Sequence, residues 1–203
     1  TTAQRNTAVG HNNMTATTTG SYNSALGNQV LLVNTVGTEN SAVGYRAMDA
    51  NTEGSYNVAM GVNALGGNTT ADNNVAVGFG AMIANTTGDK NTAVGMNSLA
   101  ANTTGTQNTS LGFKSLDANT TASDNTAIGK SSMGANTTGA SNTAVGMQSL
   151  AANTTASDNT AVGYDSLLTN TTGAENTSVG SFSMRLNTTG SYNSAVGRLA
   201  LRR

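Results

Sequence analysis

The chain has 203 residues, a formal net charge of −1 and only 9% charged side chains, with no proline, cysteine or tryptophan. Leu, Ile, Val and Phe make up 32 residues, fewer than an ordinary globular core uses, whereas Asn, Thr and Gly supply 86. These figures exclude disulfides, thiolate nucleophiles and cysteine-based metal sites, and a pI near 5.6 offers no electrostatic footprint for nucleic acid.

The charge is also too low for self-repulsion to hold the chain open. A lone histidine, His11, rules out a multi-histidine metal cage. The one basic cluster, Arg202-Arg203, is terminal and is not read as a phosphate site. No apolar run approaches the ~18–20 residues of a membrane helix, and the opening TTAQRNTAVG lacks a signal-peptide core. Both ends stop within repeats, so caps, an anchor and export signals are expected in a longer parent chain.

Repeats decide the fold. The pattern Asn-x-x-aliphatic-Gly recurs twelve times, with its glycine every 17 residues from Gly10 to Gly197 and no insertion or deletion. The consensus unit is NTAVGxxSLxANTTGxx. An unbroken period is a sign of folded register, and 17 residues is short for any paired-helix repeat. Each unit is one coil of a stack, and residues 1–203 form one domain.

Within a coil, the elements in chain order are a strand over N-T-A-V, a turn at Gly-x-x, a second strand over S-L-x-A, and a turn over N-T-T-Gly. The last glycine is replaced by Ala71, Ala122 and Ala156, so that column prefers a positive φ without requiring it. Twelve coils rising one strand spacing of ~4.8 Å each give a rod roughly 50 Å long. Strand alternation places Ala93 and Val94 on opposite sides, and Ser98 opposite Leu99, with Ala101 sharing the Leu99 side. The aliphatic ladders either fill the coil or form stripes buried against sister chains; both arrangements remain open. On either, Val94→Asp is expected to bury a charge and disrupt stacking.

The segments NTAVG, NSALG, NSAVG, NTSLG and NTAIG resemble the N-S-x-A-I-G motif of trimeric autotransporter adhesin heads (the YadA-like family). The fuller unit NTAVGMQSLAANTT is similar to repeats of phage tail fibres and related trimeric bacterial fibres. The resemblance spans all twelve repeats, although N-T-T-G makes this unit longer than the adhesin-head repeat. It implies an all-β parallel β-solenoid, a left-handed β-roll, assembled as a homotrimer with the motif aliphatic near the trimer axis.

The columns of the repeat differ in chemistry. Asn91, Asn108 and Asn125, with Gly95, Gly112 and Gly129, read as a structural ladder in which stacked amides bond along the rod. Val94, Leu99, Leu111, Leu116, Ile128, Val145 and Leu150 read as coil or trimer packing. Tyr45, Phe79, Met96, Phe113, Met147 and Tyr164 share one column after the glycine and form a possible contact strip. His11 stands in that same column, which argues against a catalytic role. Tyr22, Tyr56 and Tyr192 read as surface turns. The acids Asp49, Asp117, Asp124, Asp158 and Glu175 sit in variable columns without calcium-loop spacing. The eight N-T-T sequons follow from coil geometry, so glycosylation is not expected. Stacked Thr86, Thr103, Thr120 and Thr137 suggest an ice-binding alternative; against it, the other candidate Thr column is broken by Val58 and Val75.

Near-identical coils make a wall rather than a pocket, so no enzyme, catalytic residue, metal or cofactor is expected. The expected function is a structural or adhesive segment of a trimeric surface fibre, acting as a stiff spacer with multivalent contacts. The alternative is an ice-binding β-solenoid. Expected partners are sister chains and a host or prey surface receptor or glycan, with no nucleic acid and no membrane insertion. The expected location is extracellular, on a cell surface or a virion fibre.

Overall fold

A computed structural model describes residues 2–201; Arg202 and Arg203 lie outside the described residues. It is all-β, with one short strand per repeat. The strands are β1 (Thr7–His11), β2 (Ser24–Asn28), β3 (Ser41–Tyr45), β4 (Val58–Met60), β5 (Val75–Val77) and β6 (Thr92–Val94). They continue with β7 (Thr109–Leu111), β8 (Thr126–Ile128), β9 (Thr143–Val145), β10 (Thr160–Val162), β11 (Thr177–Val179) and β12 (Ser194–Val196). All pair in parallel and in sequence order, forming one twelve-stranded sheet. The register is the repeat itself: Thr92 pairs with Thr109, Ala93 with Ser110, and Val94 with Leu111.

The expected second strand is absent, for a backbone reason. Asn97 and Leu99 both adopt φ of +53°, and the same two positions are left-handed in nearly every coil. Two left-handed residues break the alternation that a strand imposes, so Ser98 and Leu99 both turn into the coil and are fully buried, while Ala101 is half-buried. Coil-to-coil bonding nevertheless continues through this segment. The Asn97 N–H donates backward to Phe79 O at 2.9 Å, and the Leu99 N–H donates forward to Ser115 O at 3.0 Å.

The interior is thin and mixed. Alanines of the strand, such as Ala93, Ala127 and Ala144, face a ladder of Leu or Met from Leu31 to Met184. The polar lining is bonded along most of its length, with Asn74 Nδ2 the one ladder amide among the described residues that is buried without a partner. Asn91 Oδ1 accepts the Asn108 N–H at 2.9 Å, and Asn108 Oδ1 accepts that of Asn125 at 3.1 Å. The amide of Asn108 donates to Ala122 O at 2.9 Å, and that of Asn125 to Gly139 O at 2.9 Å. A second ladder runs through Asn85 and Asn102, whose Nδ2 donates to Asn85 Oδ1 at 2.8 Å and to Gly105 O at 2.9 Å. Satisfied in this way, buried amides fix the register instead of weakening the core.

The two glycine columns differ in kind. Gly95, Gly112 and Gly129 have φ of +133°, +138° and +129°, and a Cβ on each would come within 2.5 or 2.6 Å of the next coil's glycine oxygen. Both conformation and close approach demand glycine there. The N-T-T-Gly column shows no positive φ, contrary to the sequence expectation. Its small residues are selected by crowding instead: a Cβ on Gly105 would press on Ala122 O and the Asn102 amide.

Candidate functional site

Among the described residues, an extended apolar feature of the surface is the outer face of the twelve-stranded sheet. Because Ala93 points inward, Thr92 and Val94 point outward, and Met96 follows on the same side beyond Gly95. The face therefore carries three parallel columns along the whole rod. The outermost is Thr, Ser or Val. The middle column is aliphatic or Met in all twelve coils, from Val9 to Val196. The third contains Tyr45, Phe79, Met96, Phe113, Met147 and Tyr164.

Two groups of sequence-predicted residues thus come together. Of the packing set, Val94, Ile128 and Val145 are half-buried on this face and Leu111 is 45% exposed, beside a contact strip that is exposed throughout, up to 54% at Phe79. Leu99, Leu116 and Leu150 separate from them and fill the coil. The aliphatics are divided between interior and exterior, an arrangement between the two that the sequence left open. One consequence is a correction: Val94 faces out of the coil, so Val94→Asp places its charge on the surface of a single chain rather than in the stack. Near the start of the rod the face dips into a shallow apolar groove lined by Val9, Leu26 and Val43, with Thr7, Ser24 and Ser41 beside them.

The remaining candidates are scattered. His11 is exposed, and its ring nitrogen Nδ1 lies 3.5 Å from the Asn28 amide. No group of three metal-ligating side chains occurs among the described residues. Asp124, Asp158 and Glu175 are exposed; Asp49 pairs with Arg46 at 2.7 Å. Partial burial raises the pKa of Asp117, an effect that Lys114 opposes. Tyr22, Tyr56 and Tyr192 stand exposed on left-handed turns.

The stacked threonines Thr86, Thr103 and Thr137 each donate a hydroxyl to the next coil's threonine carbonyl at 3.0 Å, and Thr120 does so at 3.3 Å. Their donors are bonded within the stack. Their neighbours Thr87, Thr104, Thr121 and Thr138 are exposed.

Sequence reasoning missed one polar contact. Asp165 is only 3% exposed and lies 3.2 Å from Arg185, whose guanidinium stacks over Phe182, which in turn meets Tyr164 edge-on. All four positions are variable columns, and no spacing signal distinguished them. No protein-family model, curated protein or solved structure matches the chain significantly.

Proposed function

We propose that this chain is a non-enzymatic structural segment of a surface fibre or adhesin, working as a stiff homotrimeric spacer whose repeated side chains offer multivalent contacts. The observation that supports it is the column of aliphatic residues and Met running unbroken from Val9 to Val196 on the solvent-facing side of the sheet. A continuous apolar stripe along a single chain is an association surface or an aggregation hazard. Three faces turned toward a common axis would bury every column residue at once. Extracellular placement, and a receptor or glycan met elsewhere on the rod, follow from that reading, with multivalency strengthening weak contacts. Light scattering on the purified chain tests it: a mass near three times 20.3 kDa is expected, and a monomer at all concentrations overturns it.

A second reading draws on the same face. Six consecutive threonines, Thr92, Thr109, Thr126, Thr143, Thr160 and Thr177, stand beside the aliphatic column at strand spacing. A regular lattice of hydroxyls and methyls of this kind suits ice binding, and suits it better than the Thr86 column, whose hydroxyls are already bonded. The two readings compete for one surface, since trimerisation would cover it. A monomer with thermal hysteresis selects ice binding; a trimer without it selects the fibre.

A further inference from the structure

Two of the twelve coils carry a constellation that the others lack. Residues 44–52 and 112–120 share the pattern Gly-aromatic-basic-x-x-Asp-Ala-Asn-Thr, with Arg46 and Asp49 in one and Lys114 and Asp117 in the other. The coil after each places a glycine, Gly66 or Gly134, in the aspartate's own column. No other coil has Asp or Gly there, and Leu32, Ile83, Leu168 and Arg185 show that the column accepts large side chains. Neither glycine has a left-handed φ, so the backbone does not call for it.

What the glycines open is a hollow beside the carboxylate. A Cβ on Gly66 would lie 3.3 Å from both Asp49 Oδ1 and Asn63 O, and 3.7 Å from Arg46 O. One on Gly134 would meet the equivalent groups: Asp117 Oδ1 at 3.4 Å, Ser131 O at 3.5 Å and Lys114 O at 3.9 Å. Arg46 holds Asp49 Oδ2 through Nε and Nη2, each at 2.7 Å, which leaves Oδ1 to the hollow. Around Gly66 the space amounts to about 220 Å³, walled by Asn63 and the exposed Ile83. None of its lining residues belongs to a strand or to the outer-face columns.

Each hollow holds one acid and one base, so its charge is balanced. That suits neither a calcium ion, which takes about six to eight oxygens, nor a phosphate, which needs surplus positive charge. Acceptors and donors converge instead: the carboxylate and carbonyls accept, while the guanidinium or ammonium and the Asn63 amide or Ser131 hydroxyl donate. We propose that the two hollows are subsites for a neutral saccharide, whose hydroxyls donate to Asp49 or Asp117 and accept from Arg46 or Lys114. At Gly66 the C–H face of the sugar ring packs on Ile83. Four coils separate the hollows, roughly 19 Å, so one polysaccharide strand laid along the rod meets both. This rests on the multivalent-contact part of the reading above and not on its trimer.

Frontal chromatography of the whole chain over immobilised mannan, dextran and galactan, with polygalacturonate as the anionic control, tests it. Retention on at least one neutral polymer is expected. Asp49→Ala with Asp117→Ala should abolish it, and either single change should weaken it severalfold by removing bivalency. Gly66→Ala with Gly134→Ala fills both hollows without altering charge and should abolish retention as well, with thermal melts confirming that each variant folds. No retention on any neutral polymer, or retention on polygalacturonate alone, overturns the inference. So does retention that survives in either folded double variant. Light scattering separates the two readings: a trimer that is not retained keeps the fibre and removes the subsites, whereas a retained monomer does the reverse.

Discussion

Left-handed backbone at ordinary residues organises this coil. The ladder residue four positions after each glycine has φ near +50° in Leu31, Leu65, Leu99 and Leu150, and no Val, Ile or Thr adopts a positive φ anywhere among the described residues. That conformation brings Cβ close to the following carbonyl, at roughly 1–2 kcal/mol for an unbranched side chain and more for a β-branched one. Leu99→Ile, a swap of equal volume, should therefore destabilise by about 2 kcal/mol or more, well above the usual ceiling for such exchanges. Leu111→Val on the extended outer column should change stability by less than about 1 kcal/mol. Chemical denaturation of the two variants measures the contrast, and equal effects would remove the backbone explanation. The signal was visible in the sequence, where that column is Leu or Met twelve times and never β-branched, whereas the column before the glycine is mostly Val. Read as strand alternation, it predicted a second strand that the backbone does not make. Glycines offer a parallel test. Gly95→Ala meets both a left-handed φ and the Gly112 oxygen at 2.5 Å, and should lower stability by several kcal/mol. Gly105→Ala keeps an ordinary φ in a column that already holds Ala71, Ala122 and Ala156, so it should cost clearly less than Gly95→Ala although its Cβ must be relieved from the Ala122 oxygen.

At the scale of the coil, the polar ladders explain which sequence motifs are only apparent. Asn102 begins an N-T-T sequon, yet its Nδ2 bonds to Asn85 Oδ1 and Gly105 O and has no exposure to solvent. A glycan on that nitrogen is incompatible with the stack. Glycosyltransferase treatment of the folded chain is expected to leave all eight N-T-T asparagines unmodified by intact mass, and occupancy at any one of them would contradict the buried ladder. The ladders were legible from the period, because identical amides repeated at fixed spacing must stack. The facing of the aliphatics was not legible, because alternation fails where φ changes sign. Asp117 gives the coil a pH dependence. Burial raises its pKa, so the protonated acid favours the fold, and this contribution is lost as pH climbs from the ordinary carboxylate range through the raised value. Asp117→Asn should match the parent in Tm at about pH 3 and exceed it at about pH 7. The same Tm difference at both values would assign the effect to packing.

Across the whole molecule, one rule repeated twelve times produces a rod whose stability is nearly local. Each coil bonds only to its two neighbours, through strand pairs, Asn ladders and threonine hydroxyls that all span 17 residues. Such a stack behaves as a sum of unit and neighbour-interface terms, without a central nucleus whose loss unfolds everything. The period then becomes the quantity that matters, more than total length. Removing residues 96–112 deletes one complete repeat and rejoins Gly95 to Phe113, a junction with the same pattern as the natural Gly112–Phe113. Every ladder stays continuous, and Tm should fall by only a few degrees. Deleting Ala100 alone removes a single small side chain, but it shifts every later residue of that coil against both neighbours. Asn102 and Gly105 would then face the wrong partners, leaving buried amides unbonded at about 1–3 kcal/mol each. The shorter deletion should therefore be the more damaging one, a reversal that thermal melts of the two variants would detect directly. Equal or opposite ordering would mean that the coils do not act as interchangeable units.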